Sequence, residues 1–253
     1  MPQLQGRTVL VTGGTRGIGL AIAASLAQSG AKVVVASRKQ ANVDEAVAAL
    51  REQTGGQISG YTLHTGDRSA FGPLLDQIEE DAGRVSILVN NAATNPYFGP
   101  IVHTPDEAWD KTLEVNLTGP FALAREVCRR LMDADQPGDI LFISSILGLR
   151  GAPLQGAYSV TKAALLGLMR TMAVELGPAG IRVNAVAPGL VRTRFASALV
   201  DQPEIRDTFL ARTPLGRVGE PDDIGTVAAW LVSDDARYVT GQVITVDGGY
   251  TAS

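Results

Sequence analysis

The sequence is poor in the residues that form disulfides, metal centres and aromatic clusters. Its 253 residues include one cysteine and two histidines, and aromatic residues make up 5% of the chain. Cys128 has no partner for an internal disulfide, which fits a reducing compartment, and we interpret it as a small apolar residue on a helix. His64 and His103 are too few for a metal site, and the carboxylates show no ligand spacing. We therefore predict neither a disulfide framework nor a bound metal.

An excess of one charge and a long apolar run are missing as well. The chain has 22 Lys and Arg residues against 26 Asp and Glu, a formal net charge of −4, and no basic cluster. This balance argues against nucleic acid and anionic membranes as partners. No apolar run reaches the ~20 residues of a membrane span. No signal peptide opens the chain and residues 251–253 are not a peroxisomal signal, so the expected location is the cytoplasm.

A strand pattern, a glycine-rich turn and a helix pattern follow one another between residues 7 and 29. The run 8–11 is apolar and β-branched, as expected of a strand that is buried on both faces. Four glycines follow between positions 13 and 19, and apolar residues then recur at helical spacing from Ile18. This order directs several backbone N–H groups and a helix N-terminus at one point. It therefore favours a phosphate-binding site over an ordinary glycine turn.

Strand and helix patterns alternate to the end of the chain, without a linker or an internal repeat. We predict an α/β protein with a doubly wound Rossmann fold, in which about seven mostly parallel strands carry helices on both faces and residues 1–253 form a single domain. Residues 190–215 mix charges, small residues and prolines, which predicts a loop over the substrate. Asn42 is the expected cap of the second helix, and the third strand is expected near a sheet edge. The strands are predicted at 8–11, 32–36, 58–64, 87–89, 139–144, 181–187 and 243–246, and the helices after the first at 43–51, 69–82, 105–132, 155–176 and 221–232.

Tyr158 and Lys162 lie one turn apart on a long apolar helix, so they share one face of it. Lys162 is the only charged residue between positions 151 and 169. An ammonium beside a phenol favours the phenolate and lowers the tyrosine pKa, which suits proton exchange near neutral pH. Ser145, at the end of the fifth strand, can reach the same crevice and donate a hydrogen bond to a carbonyl oxygen. Ser144 beside it is expected to be structural.

These residues stand in motifs that resemble the single-domain short-chain dehydrogenase/reductase family over nearly the whole chain. The match rests on a Thr-Gly-x3-Gly-x-Gly turn, an Asn-Asn-Ala motif, a serine thirteen residues before a Tyr-x3-Lys pair, and a Pro-Gly stretch. Ala93 departs from the family pattern, in which glycine is usual. Residues 37–44 and 95–99 look closest to NADPH-dependent carbonyl and retinal reductases. The motifs comprise residues 12–19 and 90–92, Ser145, Tyr158, Lys162, Pro188, Gly189 and Thr193.

The resemblance implies a mechanism and a set of site residues. The cofactor's hydride goes to the carbonyl carbon, Tyr158 gives the proton to the oxygen, and Ser145 steadies that oxygen. Lys162 also holds the nicotinamide ribose, and Asn116 supports a water that leads to solvent. With the residues at the strand ends, the expected cofactor contacts are Gly13, Thr15, Arg16, Gly17, Ile18, Gly19, Ser37, Arg38, Lys39, Asp67, Arg68, Asn90, Ala92, Tyr158, Lys162, Pro188, Gly189, Val191 and Thr193. Beside Ser145 and Tyr158, the expected walls of a mostly apolar substrate pocket are Asn95, Tyr97, Leu147, Leu154 and Leu190.

The residues after the second strand predict NADP(H) rather than NAD(H). Enzymes that use NAD place an Asp or Glu about 20 residues past the glycine turn, where it binds the ribose 2′-hydroxyl. This chain has Ser37 and Arg38 there, with no acid until Asp44. A guanidinium can bind the 2′-phosphate of NADP bidentately, and Ser37 can donate its hydroxyl. Arg16 in the glycine turn and Lys39 add positive charge.

Three functions stay open on these residues. The favoured one is an NADPH-dependent reductase of a small-to-medium hydrophobic ketone or aldehyde. The second is a 3-oxoacyl carrier-protein reductase, which would need a basic patch near its entrance, for which Arg192, Arg194 and Arg206 are the candidates. The third is a non-catalytic dinucleotide-binding protein, which would have no use for the full catalytic set.

Two long helices carry apolar residues on more than one face, which predicts an oligomer. The sheet can cover only one side of each helix, and the family resemblance implies a homotetramer. Pro120, four residues after Asn116, has no N–H, so the first of these helices should kink or widen and leave the Asn116 carbonyl free for a water. The apolar residues are Leu117, Phe121, Leu123 and Val127 in one helix and Leu165, Leu166, Leu168 and Met169 in the other.

Overall fold

One seven-stranded sheet runs through the computed structural model, which describes residues 3–253. The strands are β1 (Thr8–Thr12), β2 (Lys32–Ser37), β3 (Ile58–Thr62), β4 (Val85–Asn90), β5 (Gly138–Ile143), β6 (Ile181–Pro188) and β7 (Val243–Val246). The helices are α1 (Gly17–Gln28), α2 (Gln40–Thr54), α3 (Phe71–Ala82), α4 (Asp106–Leu113), α5 (Gly119–Asp133), α6 (Gly156–Leu176), α7 (Ser197–Val200), α8 (Pro203–Leu210) and α9 (Pro221–Leu231). All strand pairs are parallel, in the order β3-β2-β1-β4-β5-β6-β7, and the predicted fold class is confirmed.

The direction in which the chain adds strands reverses beside β1. This strand pairs with β2 on one side and with β4 on the other. The connections that leave β1 and β4 therefore run to opposite faces of the sheet, and a crevice opens outside their carboxyl ends. Thr12 and Asn90, the last residues of these two strands, lie at that crevice.

Two apolar layers cover the faces of the sheet, because successive residues of a strand point to opposite sides. Leu10 and Leu88 belong to the layer that includes residues of α3, α5 and α6. Val9 and Val11 belong to the layer that includes residues of α1 and α9. The central strands are therefore apolar at nearly every position, which is why they read as continuous runs in the sequence.

A buried ion cluster joins four strands at the amino end of the sheet. Asp139, at the start of β5, contacts the guanidinium groups of Arg7 at 2.8 Å and Arg182 at 2.6 Å. Arg7 also donates to the Ser86 hydroxyl at 2.9 Å. Arg182 donates to four carbonyl oxygens between residues 231 and 239. The cluster therefore fixes the starts of the central strands and the segment after α9.

Two predicted helices differ from the observed ones, and one predicted edge strand agrees with the structure. The helix α2 begins at Gln40 after Lys39 with no side-chain cap, so the prediction of Asn42 as its cap is wrong. The helix predicted over 105–132 consists of α4, a π-helical turn at Glu114–Thr118, and α5. The strand β3 forms an edge of the sheet, as predicted.

No helix within residues 3–253 is both long and apolar enough to cross a bilayer.

Candidate active site

Tyr158 and Lys162 are buried together on one face of α6. The side chains are 9% and 2% exposed, and the Lys162 Nζ lies 5.4 Å from the centre of the Tyr158 ring. The Lys162 Nζ donates a hydrogen bond to the carbonyl oxygen of Ile143, at the end of β5, at 2.8 Å. The ammonium is thus held by the sheet beside the phenol, which is the arrangement that their spacing predicts.

The two serines after β5 have different partners. The Ser144 hydroxyl donates to the Lys162 carbonyl oxygen at 2.9 Å and is buried, so it anchors α6 to the sheet as predicted. The Ser145 Oγ accepts the Leu147 N–H at 3.1 Å. Its hydroxyl also forms a hydrogen bond with Tyr158, which lowers the pKa of that phenol. The Ser145 and Tyr158 hydroxyls therefore lie side by side.

Burial shifts the pKa values of both Tyr158 and Lys162. It lowers the pKa of Lys162 to about 7, since the charged ammonium loses its hydration. Burial also raises the pKa of Tyr158, and this outweighs the opposite effect of the Ser145 hydrogen bond. The expectation that Lys162 would lower the tyrosine pKa below its ordinary value is therefore wrong for this structure. Burial and the Ser145 hydrogen bond are the two causes of the shift, and Lys162 is not among them.

Asn116 lies in the π-helical turn at Glu114–Thr118 and is fully buried. Its Oδ1 accepts the Thr94 N–H at 2.8 Å, and its Nδ2 donates to the Thr94 carbonyl oxygen at 2.9 Å and the Thr161 hydroxyl at 3.2 Å. The Thr161 hydroxyl donates to the Tyr158 carbonyl oxygen at 2.8 Å. The predicted widening of this helix is confirmed, because the Gly119 N–H bonds the carbonyl five residues earlier. A water on the Asn116 carbonyl stays a prediction.

The glycine turn has the close contacts that a dinucleotide site requires. Gly13 and Gly17 have φ values of 63° and 53°, which favour glycine. A Cβ on Gly19 would overlap the Gly13 carbonyl oxygen and the Asn91 amide, so the start of α1 packs directly against the turn. The Asn91 Nδ2 donates to the carbonyl oxygens of Thr12 and Gly13 at 3.0 and 3.1 Å. Sequence reasoning left Thr12 and Asn91 out of the expected cofactor contacts, although both stand inside the motifs.

Two observations fit a dinucleotide in the crevice. The Asn90 side chain is buried at the end of β4, and neither its oxygen nor its nitrogen has a hydrogen-bond partner in the part of the chain that the structure describes. A buried amide with both groups unpaired is costly, so a bound partner is expected to satisfy it. The helix α1 begins at Gly17 with no side-chain cap and no acid in its first turn. Its first N–H groups therefore suit a pyrophosphate.

The residues predicted to read the 2′-phosphate lie beside the glycine turn. The Gly13 N–H donates to the Ala36 carbonyl oxygen at 2.8 Å, which holds the turn against the end of β2. Ser37 ends that strand, and Arg38 and Lys39 follow it, exposed. Within residues 3–253, neither of these two cations has a salt bridge to a carboxylate. The Asp67 carboxylate accepts hydrogen bonds from the N–H and hydroxyl of Ser69. The other predicted cofactor contacts outside the stretch after β6 are Thr15, Arg16, Ile18, Arg68 and Ala92.

The stretch after β6 approaches the glycine turn from the other side. The Thr193 methyl lies 3.2 Å from the position of a Cβ on Gly17. A Cβ on Gly189 would lie 2.8 Å from the Asp247 Cα, so this backbone passes close to the end of β7. Val191 is buried in the core, so only its backbone can face a cofactor. Pro188 is the last residue of β6.

Phe195 packs on Tyr158, and sequence reasoning missed it. Its ring is 5.7 Å from the Tyr158 ring between centroids, and the side chain is 55% exposed. It comes from the predicted substrate loop, which contains a short 3₁₀ turn, α7 and α8. The loop packs on a small apolar cluster that includes Leu190, so Leu190 lies under the loop. No local pattern indicates Phe195, because the contact joins residues 37 positions apart.

The remaining predicted substrate residues lie in two neighbouring segments. The Gly99 N–H donates to the Leu154 carbonyl oxygen at 2.9 Å, and the Asn95 Nδ2 donates to the Gln155 Oε1 at 3.4 Å. Leu154 has a φ of 66°, which is strained for a leucine, and its side chain is exposed. Tyr97 donates its hydroxyl to the Pro100 carbonyl oxygen, and Leu147 follows Ser145. The segments before α4 and before α6 therefore meet beside the catalytic face.

Comparison with known proteins identifies the class. A family model described as enoyl-(acyl carrier protein) reductase matches residues 13–251. The human dehydrogenase/reductase SDR family member 4 is 42% identical over 246 residues, which cover 97% of this chain and 88% of that protein. This chain therefore belongs to the short-chain dehydrogenase/reductase family. It is an oxidoreductase of CH–OH and carbonyl groups that uses a nicotinamide cofactor, and the predicted family and enzyme class are confirmed.

Solved structures of the family are similar over the whole fold. A gluconate 5-dehydrogenase from Burkholderia cenocepacia, in complex with NADP and tartrate, is 32% identical with a TM-score of 0.94, covering 99% of this chain and 97% of that one. A putative 2-deoxy-d-gluconate 3-dehydrogenase from Agrobacterium tumefaciens, with bound NADP, is 34% identical with a TM-score of 0.92, covering 99% and 98%.

Proposed function

We propose that this protein is an NADPH-dependent reductase of a hydrophobic ketone or aldehyde. Tyr158 and Ser145 are the groups that act on the substrate oxygen, and Lys162 lies beside Tyr158 and holds the nicotinamide ribose. NADPH, when bound, supplies the hydride. Ser145 donates a hydrogen bond to the carbonyl oxygen as it gains negative charge, and Tyr158 donates the proton. The phenol of Tyr158 is protonated at neutral pH, since burial raises its pKa above the ordinary value, and it therefore has a proton to donate.

The observation that carries the proposal is the burial of Tyr158 and Lys162 side by side, with the Phe195 ring packed on Tyr158 and Ser145 in hydrogen-bonding contact with it. A binding module would gain nothing from such a costly arrangement. The apolar side chains of Phe195, Leu147 and Leu154 support a hydrophobic substrate.

The cofactor preference rests on charge at the end of β2. Arg38, Lys39 and Arg16 gather positive charge near the turn, and no acid stands after β2 where NAD enzymes carry one. The NADP in the two structures described above supports the same preference.

A carrier-protein thioester is the second candidate, and the charges favour it less. Of the three arginines proposed to meet an acidic carrier, Arg192 is paired with Glu220 at 3.0 Å and Arg206 with Asp207 at 2.9 Å. Their charges are largely neutralised. Oxidation of NADPH across a panel of ketones, aldehydes, quinones and an acetoacetyl thioester tests both functions. Turnover of hydrophobic ketones or aldehydes is expected, whereas turnover of the thioester alone would favour the second candidate.

A homotetramer is our proposal for the assembly, on evidence that differs from the sequence argument. Leu123, Val127, Leu165, Leu166 and Met169 are buried within the chain itself, so the interpretation of both helices as apolar all round is wrong. Leu117 and Leu168 are only partly buried and pack against the core. Four large apolar side chains on α5 and α6 do remain exposed, and they support subunit contacts: Phe121, Met132, Val160 and Val174. We further propose that residues 1–253 act as one domain in the cytoplasm.

A further inference from the structure

Two arginines converge on one tyrosine ring near the candidate active site. The Tyr250 ring lies parallel to the Phe209 ring, with 4.0 Å between their centroids and an interplanar angle of 1°. The guanidinium carbons of Arg212 and Arg150 lie 4.9 Å and 5.3 Å from the centre of the Tyr250 ring. These four side chains form the Tyr250 cluster. Since Phe209 covers one face of the ring, both cations approach it from the remaining directions.

The Tyr250 cluster joins the segments that border the catalytic face. Arg150 lies in the segment between Ser145 and Tyr158. Phe209 belongs to α8 and packs on the apolar cluster under the substrate loop, the loop whose Phe195 packs on Tyr158. The ring thus joins the segment that follows Ser145 to the substrate loop.

The C-terminal turn holds Tyr250 in that place. The Asp247 carboxylate accepts hydrogen bonds from the N–H groups of Gly249 and Thr251 at 2.9 and 2.8 Å and from the Thr251 hydroxyl at 2.7 Å. The Leu215 N–H, at the end of the substrate loop, donates to the Gly248 carbonyl oxygen at 3.0 Å. The turn is therefore fixed to the loop on one side and to the end of β7 on the other.

The charges of the two arginines are not neutralised within the cluster. Arg192 and Arg206, in the same part of the molecule, each have a carboxylate partner. Among residues 3–253, Arg150 and Arg212 have no salt bridge to any carboxylate. Their contact with an aromatic face orients them but leaves the guanidinium N–H groups free to donate. Two like charges held around one ring favour an anion between them.

We propose that Arg150 and Arg212 bind a carboxylate at the far end of the substrate. The substrate class is then a hydrophobic ketone or aldehyde that carries a carboxylate away from its carbonyl. A guanidinium matches a carboxylate in shape and can bind it bidentately, so the pair selects for the charge and for its distance from the reacting carbon. This inference rests on the proposed reductase function and adds a determinant of specificity to it.

Matched acids and esters test the inference. The substrates are 4-formylbenzoate, 3-(4-formylphenyl)propanoate and their methyl esters, which vary the charge and the distance separately. We expect the unaltered enzyme to prefer at least one acid over its ester in kcat/KM. Arg150→Gln and Arg212→Gln should each raise KM for that acid by about tenfold, with little change for the ester, since a hydrogen bond to a charged group is lost. Arg206→Gln removes a paired arginine from α8 and should leave the preference intact.

The outcomes separate this inference from the proposed function. Equal losses for acid and ester would show that the cluster only holds the loop, and no preference for an acid at either length would also overturn the inference. Binding of the same compounds, measured by calorimetry, gives a readout apart from turnover. Binding of the acid that is lost in Arg150→Gln, without reduction of any substrate, would keep the anion site and contradict the reductase. Reduction of the esters without a preference for either acid would support the reductase and contradict the anion site.

Discussion

At the scale of single residues, Tyr158 has the most direct test. The change Tyr158→Phe keeps the ring that packs against Phe195 and removes only the hydroxyl. We expect kcat to fall by at least about 100-fold, because the proton donor is lost. Cofactor affinity and thermal unfolding should stay close to those of the unaltered protein. Single-turnover kinetics with saturating NADPH measures the effect, and a near-normal kcat would assign the proton to another group.

Lys162 should give the stability a characteristic dependence on pH. Its pKa is about 7 in the folded protein against an ordinary value of 10.5. Between these values the unfolded chain holds a proton that the folded protein lacks, so the contribution of Lys162 to stability rises with pH, by at most about 1.4 kcal/mol per unit. Urea unfolding at pH 7, 8 and 9 should show this rise relative to Lys162→Met. The exposed Lys39→Met serves as the control, and parallel curves for Lys162→Met would contradict the burial argument.

Arg38 should decide between the two nicotinamide cofactors. Arg38→Asp places a carboxylate where the 2′-phosphate is expected, so KM for NADPH should rise by about tenfold or more while kcat changes little. The kcat/KM for NADH should improve at the same time. The exposed Arg237→Asp, in the segment after α9, controls for the change of net charge. Higher kcat/KM with NADH than with NADPH in the unaltered enzyme would show that these residues do not read the phosphate.

At the scale of elements, the π-helical turn connects α4 and α5 to α6, the helix that carries Tyr158. Asn116 reaches Thr161, and Thr161 holds the Tyr158 carbonyl. Asn116→Ala removes three hydrogen bonds of a buried amide and should cost about 2–3 kcal/mol in the free energy of unfolding. Thr161→Val keeps the side-chain shape, and a double-mutant cycle by urea unfolding should show a coupling of about 1 kcal/mol. Additive losses would mean that the two side chains act independently.

Local sequence patterns predicted the helices and strands well. They could not predict the contacts between segments that are distant in the sequence. The strands could be found because each is apolar throughout, and the shared face of Tyr158 and Lys162 follows from their separation along a helix. The pKa of Tyr158 could not be predicted from the sequence, because the burial of its side chain depends on the whole fold. Phe195 and Tyr250 were missed for a related reason. Their partners lie far away in the sequence, and an isolated aromatic residue in a loop carries no periodic signal.

At the scale of the whole molecule, the exposed apolar side chains predict the assembly. Val174 on α6 is 79% exposed, which is unusual for a valine in a helix with a buried face. Light scattering at micromolar concentration should give four times the chain mass of 26.5 kDa. Val174→Asp should lower that mass without unfolding the chain, since the side chain makes few contacts within it. Val102→Asp, at an equally exposed valine outside these helices, should leave the mass unchanged. A monomeric unaltered protein would rule out the tetramer.

The ion cluster of Arg7, Asp139 and Arg182 lies at the opposite ends of the strands from Ser145 and Asn90. The ion cluster that fixes the strand starts is thus one strand length away from the candidate active site. Such a protein can tolerate variation in its loops at the carboxyl ends while the anchoring end stays unchanged. A random library confined to residues 146–154 and 194–212 should therefore retain a larger folded fraction than one of equal size at the strand starts. New substrate ranges would then arise in the lineage by exchange of these loops, without renewed selection for folding.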